Sequence, residues 1–302
     1  MENKSPPGRP RSVRTPENIA RVRESVLRSP KRSAKKHGIA LQMSDRSVRR
    51  ILHQDLHFHP YKMQVAQCLS DGDKVFRLAF CQTFTRLMNQ HPTLINNLLM
   101  SDEAHFHLSG TVNKQNMRYW SPENPCVLHQ RPLHDPKVTV WCAMSFSTII
   151  GPYFFEDQNG KAVTVNAQCY RHMLRTFLVP QLHEHENLWF QQDGATAHTA
   201  RISMAVLRNL FSGRLISRFG DVPWPARSPD LTAPDYFLWG YLKDKVFINR
   251  PQNLEQLKER IREAIREVQP ETLQRVMNNF RSRVQQCVQS DGAHLNDVLF
   301  KK

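Results

Sequence analysis

The sequence predicts a mixed α/β domain that follows an all-helical, basic module. Up to about residue 95 apolar residues recur at helical spacing, whereas beyond it short β-rich runs alternate with helical segments. Positive charge is also uneven, because residues 1–62 hold 15 Lys and Arg against 5 Asp and Glu. We therefore expect a basic recognition module joined to a more neutral body.

Composition narrows the class of protein. The formal net charge of +15 favours a polyanionic partner, either nucleic acid or an acidic membrane surface. Six scattered cysteines without a CxxC pair indicate reduced thiols, and the N-terminus lacks the apolar segment of a secretory signal. The uncharged run 138–155 contains Ser, Thr and a Gly-Pro break, which favours two buried strands over a membrane span. We expect a soluble nuclear protein with no membrane partner.

Residues 16–62 predict three helices arranged as a helix-turn-helix. The second, "PKRSAKKHGI", is expected to end at Gly38, and the third, "SDRSVRRILHQDL", to begin at an N-cap such as Ser44. Arg46, Arg49 and Arg50 lie on the face of the third helix opposite its apolar residues. This pattern predicts a recognition helix in the major groove of double-stranded DNA, with a solvated basic face as the alternative.

The flanking segments carry weaker signals. Residues 1–15 form a basic arm in which "GRPR" places Arg9 and Arg11 beside a proline, a strip that could enter a narrow minor groove. A disordered basic tail or a nuclear-import patch is an equal alternative. Residues 63–95 have helical spacing and are interpreted as a linker.

Two acids stand at predicted strand ends in the body. Asp102 lies within "LLMSDEAHF", where an unpaired ionised acid would be costly, and its neighbour Glu103 should face the other side of the sheet. Asp193 follows the apolar run "LWFQQ" and precedes small residues that could leave space for a ligand. Two carboxylates in one sheet would repel unless a cation lay between them, and magnesium is held in that way.

A third acid comes from "ARSPDLTAPDYFLW". Asp235 opens a predicted helix, but it could also be the acid of a capping box whose N-cap is Thr232. Asp230 could serve as the third acid or could fix a turn. His198, shortly after Asp193, could contact DNA, hold the site, or pack as a structural histidine.

Together the ordered phrases "LLMSDEAHF", "WFQQDGATAHTA" and "RSPDLTAPDYFLWGYLKDKVF" resemble the catalytic core of mariner-type transposases, in the Tc/mariner superfamily. The resemblance extends to the helix-turn-helix, "GRPR" and "LHFHPYK". It implies a ribonuclease H-like catalytic domain over residues 96–250, with C-terminal helices over 251–302 packed on it. It also implies that two Mg²⁺ or Mn²⁺ ions are bound by Asp102, Asp193 and Asp235, although the long second spacing keeps Asp230 as an alternative.

The function that this resemblance implies is cut-and-paste transposition. Such an enzyme, expected to be a homodimer, would cleave DNA at the terminal inverted repeats of a transposon and join the ends to target DNA at a short site such as TA. Only the second of the family's two usual helix-turn-helix units is recognisable, so we expect an upstream unit to be missing. The alternative is a truncated or domesticated DNA-binding protein without transposition activity. An RNA-cleaving nuclease of the same fold is disfavoured by the helix-turn-helix.

Overall fold

The computed structural model describes residues 13–30, 32–59, 67–110, 135–182 and 187–295. The chain divides into two compact units, Met1–Ala66 and Gln67–Lys302. Arg9 and Arg11 of the predicted arm lie outside the described residues. Within the described residues, no helix combines the length and apolar character needed to cross a membrane.

The first unit is a small three-helix module: α1 Pro16–Arg28, α2 Ala34–Leu41 and α3 Asp45–Arg50, the last continued by a π-helical turn, Ile51–Asp55. The side chain of Ser44 accepts a hydrogen bond from the Ser47 N–H, which confirms the predicted N-cap. The prediction that α2 ends at Gly38 was wrong. The helix continues through Gly38 to Leu41. Glycine at this position allows the turn before α3 to pack closely, because a Cβ on residue 38 would lie 2.7 Å from the Met43 carbonyl oxygen.

The second unit begins with α4, Asp71–Gln90, whose N-cap Ser70 forms a reciprocal capping box with Asp73. A six-stranded sheet follows, in the order β3-β2-β1-β4-β5-β6. Strand β1 is antiparallel to β2 and parallel to β4, so the predicted mixed sheet is confirmed. Its strands are β1 Leu98–His107, β2 Lys137–Met144, β3 Ile149–Phe154, β4 Trp189–Gln191, β5 Leu215–Ser217 and β6 Val222–Pro223.

Helices cover both faces of this sheet. One face packs on α5 Ala167–Met173, continued by a π-helical segment Leu174–Leu178 and the short α6 Val179–Gln181, and on α7 Thr196–Thr199 and α8 Arg201–Leu210. The other packs on α4, on the π-helical segment Pro234–Leu238 with α9 Trp239–Val246, and on α10 Leu254–Arg266 and α11 Pro270–Gln289. The apolar residues predicted to face inward on the C-terminal helices, such as Leu257 and Phe280, are buried in this second core.

Two local details differ from the sequence-based expectation. The sequence pattern after Asp193 predicts one helix from His198 to about Leu210, but the chain breaks at Ala200, whose φ of −59° and ψ of 141° are extended, and the segment forms two helices, α7 and α8. The two-residue strand β6 was not predicted. The run 138–155 forms the buried hairpin of β2 and β3, as the interleaved Ser and Thr indicated.

Candidate active site

Strand β1 separates two adjacent acids onto opposite faces of the sheet. Leu98 and Met100 belong to the core beneath α9, whereas Leu99 belongs to the core beneath α5. By this alternation Asp102 faces α9 and Glu103 faces α5. The Asp102 Oδ2 atom accepts a hydrogen bond from the indole Nε1 of Trp239 at 2.7 Å, so this carboxylate is held in one orientation.

Asp193 lies two residues beyond the end of β4, on a loop that is tied firmly to the sheet. The hydroxyl of Tyr170 donates to Gln192 Oε1 at 2.8 Å, and Gln192 Nε2 donates to the His198 carbonyl at 3.2 Å and to Ser217 Oγ at 3.0 Å. Gln192 is fully buried, so these bonds fix the loop on both sides of Asp193. The Asp193 side chain itself is 50% exposed.

Gly194, the small residue after Asp193, does not leave open space for a ligand as the sequence suggested. A Cβ on Gly194 would lie 3.3 Å from Arg218 Cδ, so the space beside this residue is filled by the stem of Arg218. Arg218 is exposed, and its guanidinium carbon lies 5.2 Å from the centroid of the exposed Phe219 ring. Arg218, which follows β5, thus packs its stem against the residue after Asp193, and the sequence analysis did not single it out.

Asp235 is exposed in the first turn of the π-helical segment before α9. The capping-box alternative is excluded, because the side chain of Thr232 donates to the Ser228 carbonyl at 3.3 Å and the position before the helix is Ala233, which has no capping side chain. Asp235 lies within hydrogen-bonding reach of Asp102, and the Asp193 charge acts on it. The folded chain thus brings the three acids into one electrostatic neighbourhood.

Asp230 has a separate, structural environment. Arg77, which is completely buried on α4, donates from its two terminal nitrogens to both carboxylate oxygens of Asp230 at 2.7 Å. Arg77 Nε also donates to the Gly292 carbonyl at 2.8 Å, and Arg283 donates to the Asp230 carbonyl at 2.8 Å. Both carboxylate oxygens of Asp230 are therefore used in holding its own turn, Pro229–Leu231, to α4, which favours Asp235 as the third acid of the site.

The pKa values of Asp102 and Asp235 are both raised by their surroundings. Burial, followed by the charges of Asp235 and Glu103, raises the pKa of Asp102 well above its usual value. Burial also raises the pKa of Asp235 to about 6; the hydrogen bond to Asp102 partly offsets this rise, and the charge of Asp193 adds to it. Such a cluster of acids favours either a shared proton or a bound cation.

His198 lies on the other side of Asp193, where it contacts two carboxylates. Its Nδ1 is 2.5 Å from Asp193 Oδ1 and its Nε2 is 3.0 Å from Glu103 Oε1. Burial alone would lower the pKa of His198, but the charge of Glu103 and the hydrogen bond to Asp193 raise it to about 10. Burial would raise the pKa of Asp193, but the hydrogen bond and the charge of His198, together with the Ala195 N–H, outweigh burial and lower this pKa. Because His198 is only 2% exposed, its ring offers little surface to DNA.

The donor set fits a hard divalent cation by its chemistry. Three carboxylates supply the oxygen ligands that Mg²⁺ and Mn²⁺ prefer. Burial first, and then the charges of neighbouring acids, raise the pKa values of Asp102 and Asp235, and a cation would offset both causes. The amide of Gln191, which is fully buried at the end of β4 two residues before Asp193, has no hydrogen-bond partner among the described residues. In that part of the chain no three His, Cys, Asp or Glu side chains are already gathered as a metal-binding group.

The basic module presents its arginines to solvent. Val48 of α3 is completely buried against Val22 and Ile51, and Arg46, Arg49 and Arg50 are exposed. The Arg49 Nε donates to both oxygens of Asp45 at 3.1 Å, one turn earlier on the same helix. The predicted face is thus formed as the sequence pattern indicated.

Solved structures with the same fold are structures of Mos1 mariner transposase. The chain matches the "Mos1 transposase paired-end complex with left transposon end" with a TM-score of 0.71 and 20% identity, over 97% of this chain and 83% of that chain. The "Mos1 mariner paired end complex with Mn" matches with a TM-score of 0.70, 20% identity and the same coverage. The "catalytic domain of Mos1 mariner transposase" matches with a TM-score of 0.58 and 20% identity, over 76% of this chain and 99% of that domain.

These likenesses establish the fold. The body is a ribonuclease H-like mixed sheet with helices, preceded by a helical module, and this is the fold that the resemblance of the three phrases implied. No protein-family model matches this sequence, and none of the curated protein sequences matches it.

Proposed function

We propose that this protein is a mariner-type, cut-and-paste DNA transposase that cleaves phosphodiester bonds at transposon ends and joins those ends to target DNA. The observation that carries the proposal is that Asp235 lies within hydrogen-bonding reach of Asp102 and feels the charge of Asp193, beside a mixed sheet of the ribonuclease H-like fold. The fold supports it, because structural neighbours are Mos1 complexes named for a transposon end and for strand transfer.

Asp102, Asp193 and Asp235 would hold the divalent ions, two of them in this proposal, as Mg²⁺ or Mn²⁺. Mos1 structures with each of these metals are among the neighbours. Bound there, the ions would supply positive charge to activate the attacking oxygen and to stabilise the leaving oxygen of a phosphodiester. The chain's own part is to orient the carboxylates: Trp239 fixes Asp102, and the bonds of Gln192 fix the loop that carries Asp193.

DNA recognition belongs to the basic module. Arg46, Arg49 and Arg50 would face the major groove of the terminal inverted repeats, while Arg9 and Arg11 would reach the minor groove. Phosphate contacts by these arginines would make binding fall steeply with salt. We extend the proposal to insertion at a TA target, to a homodimer that brings two ends together, and to a nuclear location.

A DNA-binding protein without transposition activity is the second candidate. It would keep the arginine face of α3 and would need none of the three acids at the sheet. The exposed carboxylate of Asp235 favours the enzyme, since it is not held by a buried arginine as Asp230 is. Asp193 pairs with His198 through one oxygen only, and its side chain is half exposed.

Cleavage of an end-labelled duplex tests the proposal. The substrate is the inverted-repeat DNA that flanks the coding sequence, supplied with Mg²⁺ or Mn²⁺ to the wild-type protein and to Asp193→Asn. We expect metal-dependent nicking by the wild type only, with equal DNA binding by both proteins. Tight binding without nicking by either protein would instead support the second candidate, and an equal loss of binding and folding in the variant would indicate a structural role for Asp193.

A further inference from the structure

We propose that Glu103 and His198 form a positioning pair that fixes one carboxylate oxygen of Asp193 and leaves the other directed to a bound cation. This inference rests on the proposed function, and it assigns a role to Glu103 that neither the three-acid pattern nor the fold likeness gives. Its basis is a continuous contact from β1, through the imidazole of His198, to the loop after β4.

The imidazole is held at both nitrogens. Nδ1 meets Asp193 Oδ1 at 2.5 Å and Nε2 meets Glu103 Oε1 at 3.0 Å. Ionised carboxylates only accept hydrogen bonds, so each ring nitrogen serves as a donor in this arrangement. Asp193 Oδ1 is also bonded to the Ala195 N–H at 3.0 Å, which places two donors on the same oxygen. Among the described residues, no hydrogen bond to Asp193 Oδ2 is formed.

The ring cannot easily rotate out of this arrangement. The Tyr170 ring lies against it, with 4.3 Å between ring centroids and 36° between planes. The His198 carbonyl accepts from the buried Gln192 amide, so the backbone on that side is fixed as well. A ring packed on one face, anchored through its backbone and bonded at both nitrogens has one orientation, and it transmits that orientation to Asp193.

Glu103 can be changed without opening the core. Its side chain is 16% exposed and lines a cavity of about 380 Å³ together with His105, Lys137, Thr139 and His198. His105 provides a matched control, since it lies on the same face of β1 and lines the same cavity, but its Nδ1 contacts the Thr139 hydroxyl at 3.1 Å rather than an acid of the site. A variant of His105 should therefore disturb the cavity and not the orientation of Asp193.

The experiment measures Mn²⁺ binding to the full-length, DNA-free protein by electron paramagnetic resonance. We expect Glu103→Ala to weaken Mn²⁺ binding about tenfold, the lower end of what loss of an outer hydrogen-bond partner costs a metal site. Glu103→Gln should bind nearly as the wild type does, because its amide oxygen can still accept from His198. His105→Ala should match the wild type, and thermal unfolding in a chelator should show that every variant is folded.

A second, metal-free readout follows the imidazole directly. In the wild type the two bonded N–H protons of His198 should give protected, downfield resonances, and the Nε2 proton signal should be lost in Glu103→Ala and kept in Glu103→Gln. Unchanged Mn²⁺ affinity in Glu103→Ala overturns the inference. An equal loss of affinity in Glu103→Gln also overturns it, because the charge of Glu103 rather than its hydrogen bond would then matter.

Failure of the proposed function has a different signature. A wild-type protein that binds Mn²⁺ no better than Asp193→Asn overturns the proposed metal site and this inference with it. Persistence of the imidazole signals in that case would show that the contact from Glu103 to Asp193 is structural.

Discussion

Asp230 and Asp235 are five positions apart in one proline-containing segment, but their carboxylates have opposite surroundings. The Asp230 carboxylate accepts hydrogen bonds from the buried Arg77 at both oxygens, and the pair ties the turn Pro229–Leu231 to α4. Asp235 meets other acids, and burial together with the charge of Asp193 raises its pKa to about 6. The ion pair of Asp230 stabilises the fold. Asp235, in contrast, lies near other carboxylates, which is expected where a bound cation supplies the positive charge.

The largest expected effect is on catalysis at Asp235. Asp235→Asn should reduce cleavage of transposon-end DNA by at least about a thousandfold, because loss of a metal ligand removes several kcal/mol of transition-state stabilisation. The measurement is single-turnover cleavage at saturating protein. Asp244→Asn, which changes an exposed acid on α9, is the matched control and should cleave normally. Substantial cleavage by Asp235→Asn would remove Asp235 from the site.

The second largest effect is expected on the free energy of unfolding when the Arg77–Asp230 ion pair is broken. Arg77→Met should lower the free energy of unfolding by about 3–5 kcal/mol, because it leaves the Asp230 carboxylate without its buried partner. Urea denaturation followed by circular dichroism measures it, with Asp230→Asn and the double variant completing a cycle. A loss below about 1 kcal/mol in each single variant would contradict the anchoring role that separates Asp230 from Asp235.

Asp235→Asn is expected to raise the free energy of unfolding, by less than Arg77→Met lowers it. The pKa of Asp235 is raised from 3.8 to about 6, so between those values the folded protein binds more protons than the unfolded chain and loses stability as the pH rises. In a chelator at pH 7.5 the variant should be more stable than the wild type by on the order of 1 kcal/mol, less than the full pKa shift implies because solvent screens this exposed group.

That gain should vanish at about pH 3, which lies below both pKa values, and should shrink when Mg²⁺ is added. Denaturation curves at the two pH values give the comparison. An Asp235→Asn variant that is less stable than the wild type at pH 7.5 without metal would mean that this carboxylate stabilises the fold.

The smallest effect is expected at an exposed ion pair. Arg227 contacts Asp73 at the surface, in contrast to the buried contact of Arg77 with Asp230. Because water screens such pairs and the side chains lose freedom in forming them, Arg227→Met should leave the unfolding free energy almost unchanged. A loss as large as that of Arg77→Met would show that burial is not what distinguishes the two pairs.

The sequence predicted much of the fold because local patterns determine it. Alternation along β1 correctly separated Asp102 from Glu103, and the capping residue of α3 was read from Ser44. Side-chain partners that lie far apart in the sequence cannot be predicted from such local patterns. Arg77 lies 153 positions from Asp230, so the sequence left the choice between Asp230 and Asp235 open. The position of Arg77 between the apolar residues of "VFRLAF" in α4 was the available signal.

Three further features of the site could not be determined from the sequence. The sequence left a capping box as the alternative for Asp235, because the spacing of Thr232 and Asp235 does not reveal that the Thr232 hydroxyl donates to the Ser228 carbonyl instead. The contact of Glu103 with His198 joins positions 95 apart, and only the fold brings them together. Trp239 was passed over because a tryptophan in an apolar helix is usually explained by packing, whereas here its N–H also holds Asp102.

The most direct test of the account is to locate the cation itself. Crystals of the protein soaked in Mn²⁺ and measured at the manganese absorption edge should show anomalous peaks bounded by Asp102, Asp193 and Asp235, with no peak at Asp230. That result would place the metal in the cluster of acids and leave Asp230 with Arg77. Anomalous density at Asp230, or none beside Asp102 and Asp235 at saturating Mn²⁺, would contradict the assignment of these three aspartates as the catalytic centre.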